Sequence, residues 1–170
     1  MQKKTFHFLA LIFTLQAVLP GAACLAEGQA EKAPYPAMAS VDQYLAPDRD
    51  SEIALARSAA PPSISGAAEV MVLGRKAYTT AVKGSNGFLC LVERSWGAAT
   101  DDPDFWNPKV RAPICFNPPA ARTFVPIFLM KTKLVVAGKS KTEIVAAIAS
   151  ALDKKELPAL EPGAMCYMTS

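Results

Sequence analysis

Hydrophobic positions along this chain follow three rhythms, and each predicts a different kind of element. Near the start, Phe6 to Val18 is an almost unbroken apolar run, interrupted mainly by Thr14 and Gln16. From Glu69 onward the apolar residues come in short β-type runs, Val70 to Leu73, Ala77 to Lys83 and Phe88 to Arg94. Gly74-Arg75-Lys76 and Gly84-Ser85-Asn86-Gly87 separate them with residues that accept positive φ, which predicts a three-stranded antiparallel meander. Two strands alone would be marginal, so the third and a covering helix are expected to matter.

Helical spacing forms the third rhythm. Asp48 is placed to cap a helix with apolar positions Ile53, Leu55 and Ala56, running to Ala60, where Pro61-Pro62 forbid continuation. Asn117 followed by Pro118-Pro119 predicts a second start. That helix would pass Thr123, Ile127, Phe128 and Leu134, bend at Pro126 and close at Gly138, although Phe124 to Val136 also suits a buried strand pair. Ser140-Lys141-Thr142-Glu143 is a capping box ahead of Ile144, Ile148, Ala151 and Leu152, predicting a helix to about Lys155. The expected fold is α+β, a small antiparallel meander packed against two or three helices in a single domain over residues 48–170. Residues 27–47, with three prolines and no clear period, read as a flexible lead-in.

The first apolar run reads as a secretory signal. Lys3 and Lys4 form a basic start, Pro20-Gly21 break the run, and small residues follow. The run falls short of the ~20 apolar residues that span a bilayer. Cleavage after Ala26, with Cys24 and Ala26 at the small-residue positions, removes residues 1–26 and leaves Glu27 first. The alternative is lipid attachment at Cys24, because Gly21-Ala22-Ala23-Cys24 is a degenerate lipoprotein processing site. No second long apolar run follows, so no transmembrane span is expected in the exported chain, which would be periplasmic or extracellular.

Export changes the chemistry available. The one histidine, His7, leaves with the signal, taking the commonest general base and metal ligand with it. Lys3 and Lys4 leave too, so 16 of the 18 basic side chains face 15 acidic ones, a net charge of +1. That balance argues against a nucleic-acid binder, which needs many phosphate contacts. Charge is uneven, however: Phe105 to Thr142 holds Lys109, Arg111, Arg122, Lys131, Lys133, Lys139 and Lys141 and no acid. These cations either partner acidic segments of the fold or meet an anionic envelope component.

Of the later cysteines, Cys90 and Cys115 lie in short apolar runs that read as buried strands, so a disulfide between them is expected. Closing that loop would stabilise the fold by about 3 kcal/mol. Cys166 is the odd thiol, expected as a small buried apolar residue.

Ser95 to Asn117 is the least regular stretch. Its three prolines and Asp101, Asp102 and Asp104 exclude a long helix, yet Trp96, Phe105, Trp106 and Phe116 give it aromatic weight. As a binding site, Trp96 and Trp106 would stack a flat or sugar-like ligand, with Asp104, Asn107 and Arg111 supplying directional hydrogen bonds. The alternative is that both indoles pin the loop to the core. Calcium at the aspartates would need six or more organised oxygens, so no metal or cofactor is expected. Leu134 to Ser140, LVVAGKS, resembles a phosphate-binding loop, but Lys133 stands where its first glycine is required.

Three strings carry a resemblance: NGFLCLVERSW at Asn86 to Trp96, FWNPKVRAPICFNPPAART at Phe105 to Thr123, and KKELPALEPGAM at Lys154 to Met165. They look like a group of uncharacterised exported bacterial proteins, a likeness covering about Asp48 to Met168. It implies export but no activity, substrate, cofactor or partner. It also implies a chain that goes on past Met168 into a segment containing histidines. The apolar run AMCYM at residues 164–168, which reads as the start of a strand, agrees with C-terminal truncation. Two functions remain: a non-catalytic module binding a small ligand or an anionic envelope component, and a carboxylate-based envelope hydrolase using Glu93, Asp102 and Asp104.

Overall fold

A computed structural model describes residues 34–168; the expected signal, the cleavage point and Cys24 lie outside them. Five strands form one sheet in the order β2-β1-β3-β4-β5. They span Glu69–Leu73 (β1), Tyr78–Val82 (β2), Leu89–Glu93 (β3), Ala112–Phe116 (β4) and Cys166–Met168 (β5). Four helices accompany them: α1 (Arg49–Arg57), the short α2 (Pro62–Ser65), α3 (Pro118–Val136) and α4 (Lys141–Asp153).

The α+β class and single domain agree with expectation, but the sheet is mixed. β1 and β2 pair antiparallel, as do β3 with β4 and β4 with β5, whereas β3 runs parallel to β1. The cause lies in the segment after β2. Instead of turning back on β2, it crosses the start of β1: Ser85 donates its N–H to Ala67 O at 2.8 Å, and Glu69 N–H reaches Phe88 O at 2.9 Å. Gly84 permits the crossing, since a Cβ there would stand 2.1 Å from Glu69 N. The hairpin thereby serves as the crossover that a parallel pair requires.

Both sheet faces are covered, so the strands read as continuous apolar runs. Val70, Cys90, Val92 and Cys115 join Ala56 and Ala59 in one core. Met71, Leu73, Leu91, Ile114 and Phe116 face the other way, packing with Val125, Phe128, Val135 and Ile144 of α3 and α4. The Cys90–Cys115 disulfide joins opposed residues of β3 and β4.

The caps form as expected. Asp48 accepts Ser51 N–H, Asn117 accepts Ala120 N–H, and Ser140 with Glu143 makes the reciprocal capping box. Pro126 sits inside α3, so Phe124 to Val136 is helix and not a strand pair. Lys155 takes a φ of 59°, and α4 ends two residues before it.

Two expectations change. Packing begins ahead of Asp48: Val41–Tyr44 forms a 3-10 turn, and Tyr44 is fully buried with its hydroxyl donating to Trp106 O at 2.7 Å. An aromatic ring with a satisfied hydroxyl anchors a segment that composition marked as lead-in. Cys166, expected to be buried, is an exposed free thiol in β5, the strand beyond β4 at one end of the described sheet.

Candidate functional site

The loop from Trp96 to Arg111 turns its aromatic side inward. Trp96, in the 3-10 turn Ser95–Gly97, has no exposed surface; its ring lies 4.9 Å from that of Tyr44, and its N–H donates to Thr132 Oγ1 at 3.0 Å. Trp106 is nearly buried, edge-on to Phe105 at 4.5 Å. It touches a cavity of about 430 Å³ near Tyr35, Met38 and Lys139, to which Trp96 does not contribute. The indoles thus anchor the loop, and the stacking pair expected for a flat ligand does not assemble.

The polar groups of that loop serve the loop itself. Asp104 is exposed and accepts from Asn107 Nδ2 at 3.2 Å, while Asn107 Oδ1 accepts Lys109 N–H at 2.9 Å. Arg111 donates to the carbonyls of Pro108, Val110, Gln43 and Leu45, clamping the lead-in onto the loop. Burial, followed by the repulsion of Arg94, draws the Arg111 pKa down. Asp102 Oδ1 accepts Asp104 N–H at 2.7 Å. Among the described residues, no group of three His, Cys, Asp or Glu side chains is placed to hold a metal.

Several of the clustered cations also have acceptors within the fold. Lys139 pairs with Glu143 and Arg122 with Glu161. Lys131 and Lys141 donate to the carbonyls of Ala98 and Asp102, and their ammonium groups lie 5.1 and 4.9 Å from the Phe105 ring centroid.

Open concave surface lies elsewhere, on both sides of Phe124. A groove of about 660 Å³ runs between α3 and α4, walled by Phe124, Ile127, Ile144, Ile148 and Leu152, with Lys131 and the Gly97 to Asp101 segment beside it. Val145 and Leu152 are 49% and 40% exposed there. A second cavity, of about 330 Å³, lies by β4 and β5 and contains Glu93 and Cys166. Burial pushes the Glu93 carboxyl up to about 7, against the opposing pull of Lys131. The Lys131 ammonium is drawn down by its own burial, against Glu93. Burial and then Glu93 raise the Cys166 thiol, which disfavours the nucleophilic thiolate.

Of the three carboxylates proposed for acid–base work, Glu93 therefore stands at a cavity, while Asp102 and Asp104 order a turn. The apolar groove was not anticipated. Its signal was present in Val145, Ile148 and Leu152, which extend the apolar side of α4 past the stripe that Ile144 and Ala151 bury.

The domain is a mixed five-stranded sheet, stapled by one disulfide and covered by helices on both faces. Comparison with protein-family models, with curated proteins and with solved structures returns no match.

Proposed function

We propose that this chain is an exported, non-catalytic binding module that takes a small, largely apolar ligand in the groove between α3 and α4. The observation that carries this reading is the groove itself. Its volume of about 660 Å³ lies within the ~300–1,000 Å³ of ligand pockets, and its walls are mostly aliphatic and aromatic. Removing that surface from water supplies the affinity. Export rests on the basic start, the apolar run and the small-residue site before Glu27, and a disulfide suits an oxidising compartment. An anionic envelope component has less support as partner, because Arg111, Arg122, Lys131, Lys139 and Lys141 already have acceptors within the fold.

The test is saturable binding of the apolar fluorescent anion 1-anilinonaphthalene-8-sulfonate to the exported protein. Val145→Asp and Leu152→Asp alter exposed positions and should each weaken binding about tenfold while leaving the unfolding transition in place. Unchanged binding in both variants would place the ligand elsewhere. N-terminal sequencing of the exported protein should begin at Glu27; an acylated Cys24 would establish the anchored form instead.

A further inference from the structure

Glu93 ends β3 and, among the described residues, is the only carboxyl lining the second cavity. The walls are otherwise Ile114, Phe116, Phe124, Leu160, Met168 and similar groups, with the Cys166 thiol beside them. Among the described residues, Glu93 Oε1 is buried with no hydrogen-bond partner, and Glu93 makes no ion pair. Lys131, the cation that acts on it, is diverted: its ammonium donates to Ala98 O at 2.6 Å and lies over the Phe105 ring. Gly97 makes room for the carboxyl, since a Cβ there would stand 2.6 Å from Glu93 Oε2. A buried carboxyl with an unmet oxygen is costly unless a donor reaches it.

We propose that this cavity is a binding site for a small primary amine carried on an alkyl or aryl body, the ammonium held by Glu93 and the body lying along Phe116, Phe124 and Met168. An ammonium supplies both the missing donor and the missing positive charge. Charge-assisted hydrogen bonds are roughly twice as strong as neutral ones, so a cation outcompetes an alcohol of the same shape. An anionic ligand meets repulsion from the ionised carboxylate. The volume of about 330 Å³ is near the lower end for ligand pockets, which limits the body to a short chain or a single ring. This site is separate from the groove between α3 and α4 and stands or falls independently of it.

Cys166 lines the same cavity and is exposed, so it reports occupancy. Its alkylation by iodoacetamide would be followed on the full exported chain at about pH 8, with n-hexylamine, 1-hexanol or hexanoate present. Hexylamine should slow alkylation saturably, at concentrations at least about tenfold below those hexanol needs, with hexanoate weaker still. In Glu93→Gln, protection by hexylamine should fall to the level of hexanol. Equal protection by amine and alcohol, no saturable protection, or a preference surviving in Glu93→Gln would overturn the proposal. Should that variant fail to fold, the carboxyl ¹³C resonance of Glu93 in the unaltered protein decides. It should shift saturably with hexylamine and not with hexanol, and a resonance that ignores hexylamine refutes the site.

Discussion

The Arg94 guanidinium and the Glu52 carboxylate meet at 2.9 Å with both side chains withdrawn from solvent, tying the residue after β3 to α1. Neither group stands alone. Glu52 Oε1 also accepts Leu73 N–H at 3.0 Å, and Arg94 donates to the carbonyls of Tyr44 and Val92. Tyr78 adds its hydroxyl to Val92 O at 2.6 Å. The 3-10 turn at Tyr44, α1 and strands β1 to β3 are thus linked through one buried polar knot, in which each loss leaves another group uncompensated.

Breaking that knot from one side should therefore be severe. Glu52→Ala and Arg94→Ala are each expected to lower unfolding free energy by about 3–5 kcal/mol, read from urea denaturation. The double replacement Glu52→Leu/Arg94→Met should cost less than either single change, because it strands no charge. A double variant as unstable as the sum of the singles would show that the ions are not coupled.

Stability should fall as pH rises across the Glu93 transition. The folded carboxyl titrates at about 7, against an ordinary value of 4.5, so between these the folded state binds more protons than the unfolded chain. The stabilising contribution is complete below 4.5 and is lost as pH rises through 7, up to about 3 kcal/mol in total. Glu93→Gln should flatten the profile in this window. Glu143 acts in a different one: the Ser140 N–H and Lys139 hold its carboxyl down to about 2, so its contribution is present above 4.5 and lost as pH falls toward 2.

Cys166 should react without disturbing the disulfide. It opposes Phe116 across β4 and β5, whereas Cys115 opposes Tyr167, so thiol and disulfide project from opposite faces of the sheet. Alkylation of the folded, non-reduced protein is expected to modify Cys166 and leave Cys90 and Cys115 protected. Cys166→Ala should change stability by no more than about 0.5 kcal/mol. Cys90→Ala/Cys115→Ala should cost about 2–5 kcal/mol and lower Tm accordingly. Scrambling between Cys166 and the bonded pair under native conditions would contradict this placement.

Two glycines should respond differently to alanine. Gly138 has a φ of 76° with nothing near its missing Cβ, so Gly138→Ala carries only the left-handed penalty of about 1–2 kcal/mol. At Gly84 the added carbon would meet the backbone of Ala68 and Glu69, and the crossing segment would have to move. Gly84→Ala should be the more destabilising of the two in thermal unfolding, and the reverse order would place the crossing elsewhere.

Local rules carried much of the secondary structure. The caps at Asp48, Asn117 and Ser140, the stop at Gly138 and the three β-type runs each depend on neighbours a few residues apart, and each forms where the pattern placed it. The Cys90–Cys115 pair was legible because both cysteines sit in short apolar strands. Little of the candidate site was legible in the same way. Trp96 and Trp106 carried a strong composition signal, but composition cannot tell an indole that offers its face to a ligand from one that offers it to Tyr44 or Phe105.

By itself, then, the chain's order of residues determined the α+β class, the capped helix starts and the strand positions, because capping, turn formation and side-chain periodicity are set within a few residues; α1, expected to reach Ala60, ends at Arg57. Tertiary structure decided what long-range geometry controls. It turned β3 parallel to β1 by passing residues 83–88 across the start of β1, and it buried Glu52 against Arg94, 42 residues away. It also left Glu93 beside a cavity with an oxygen unmet. Desolvation, charge pairing and concavity depend on which distant segments meet, and no local pattern records that meeting.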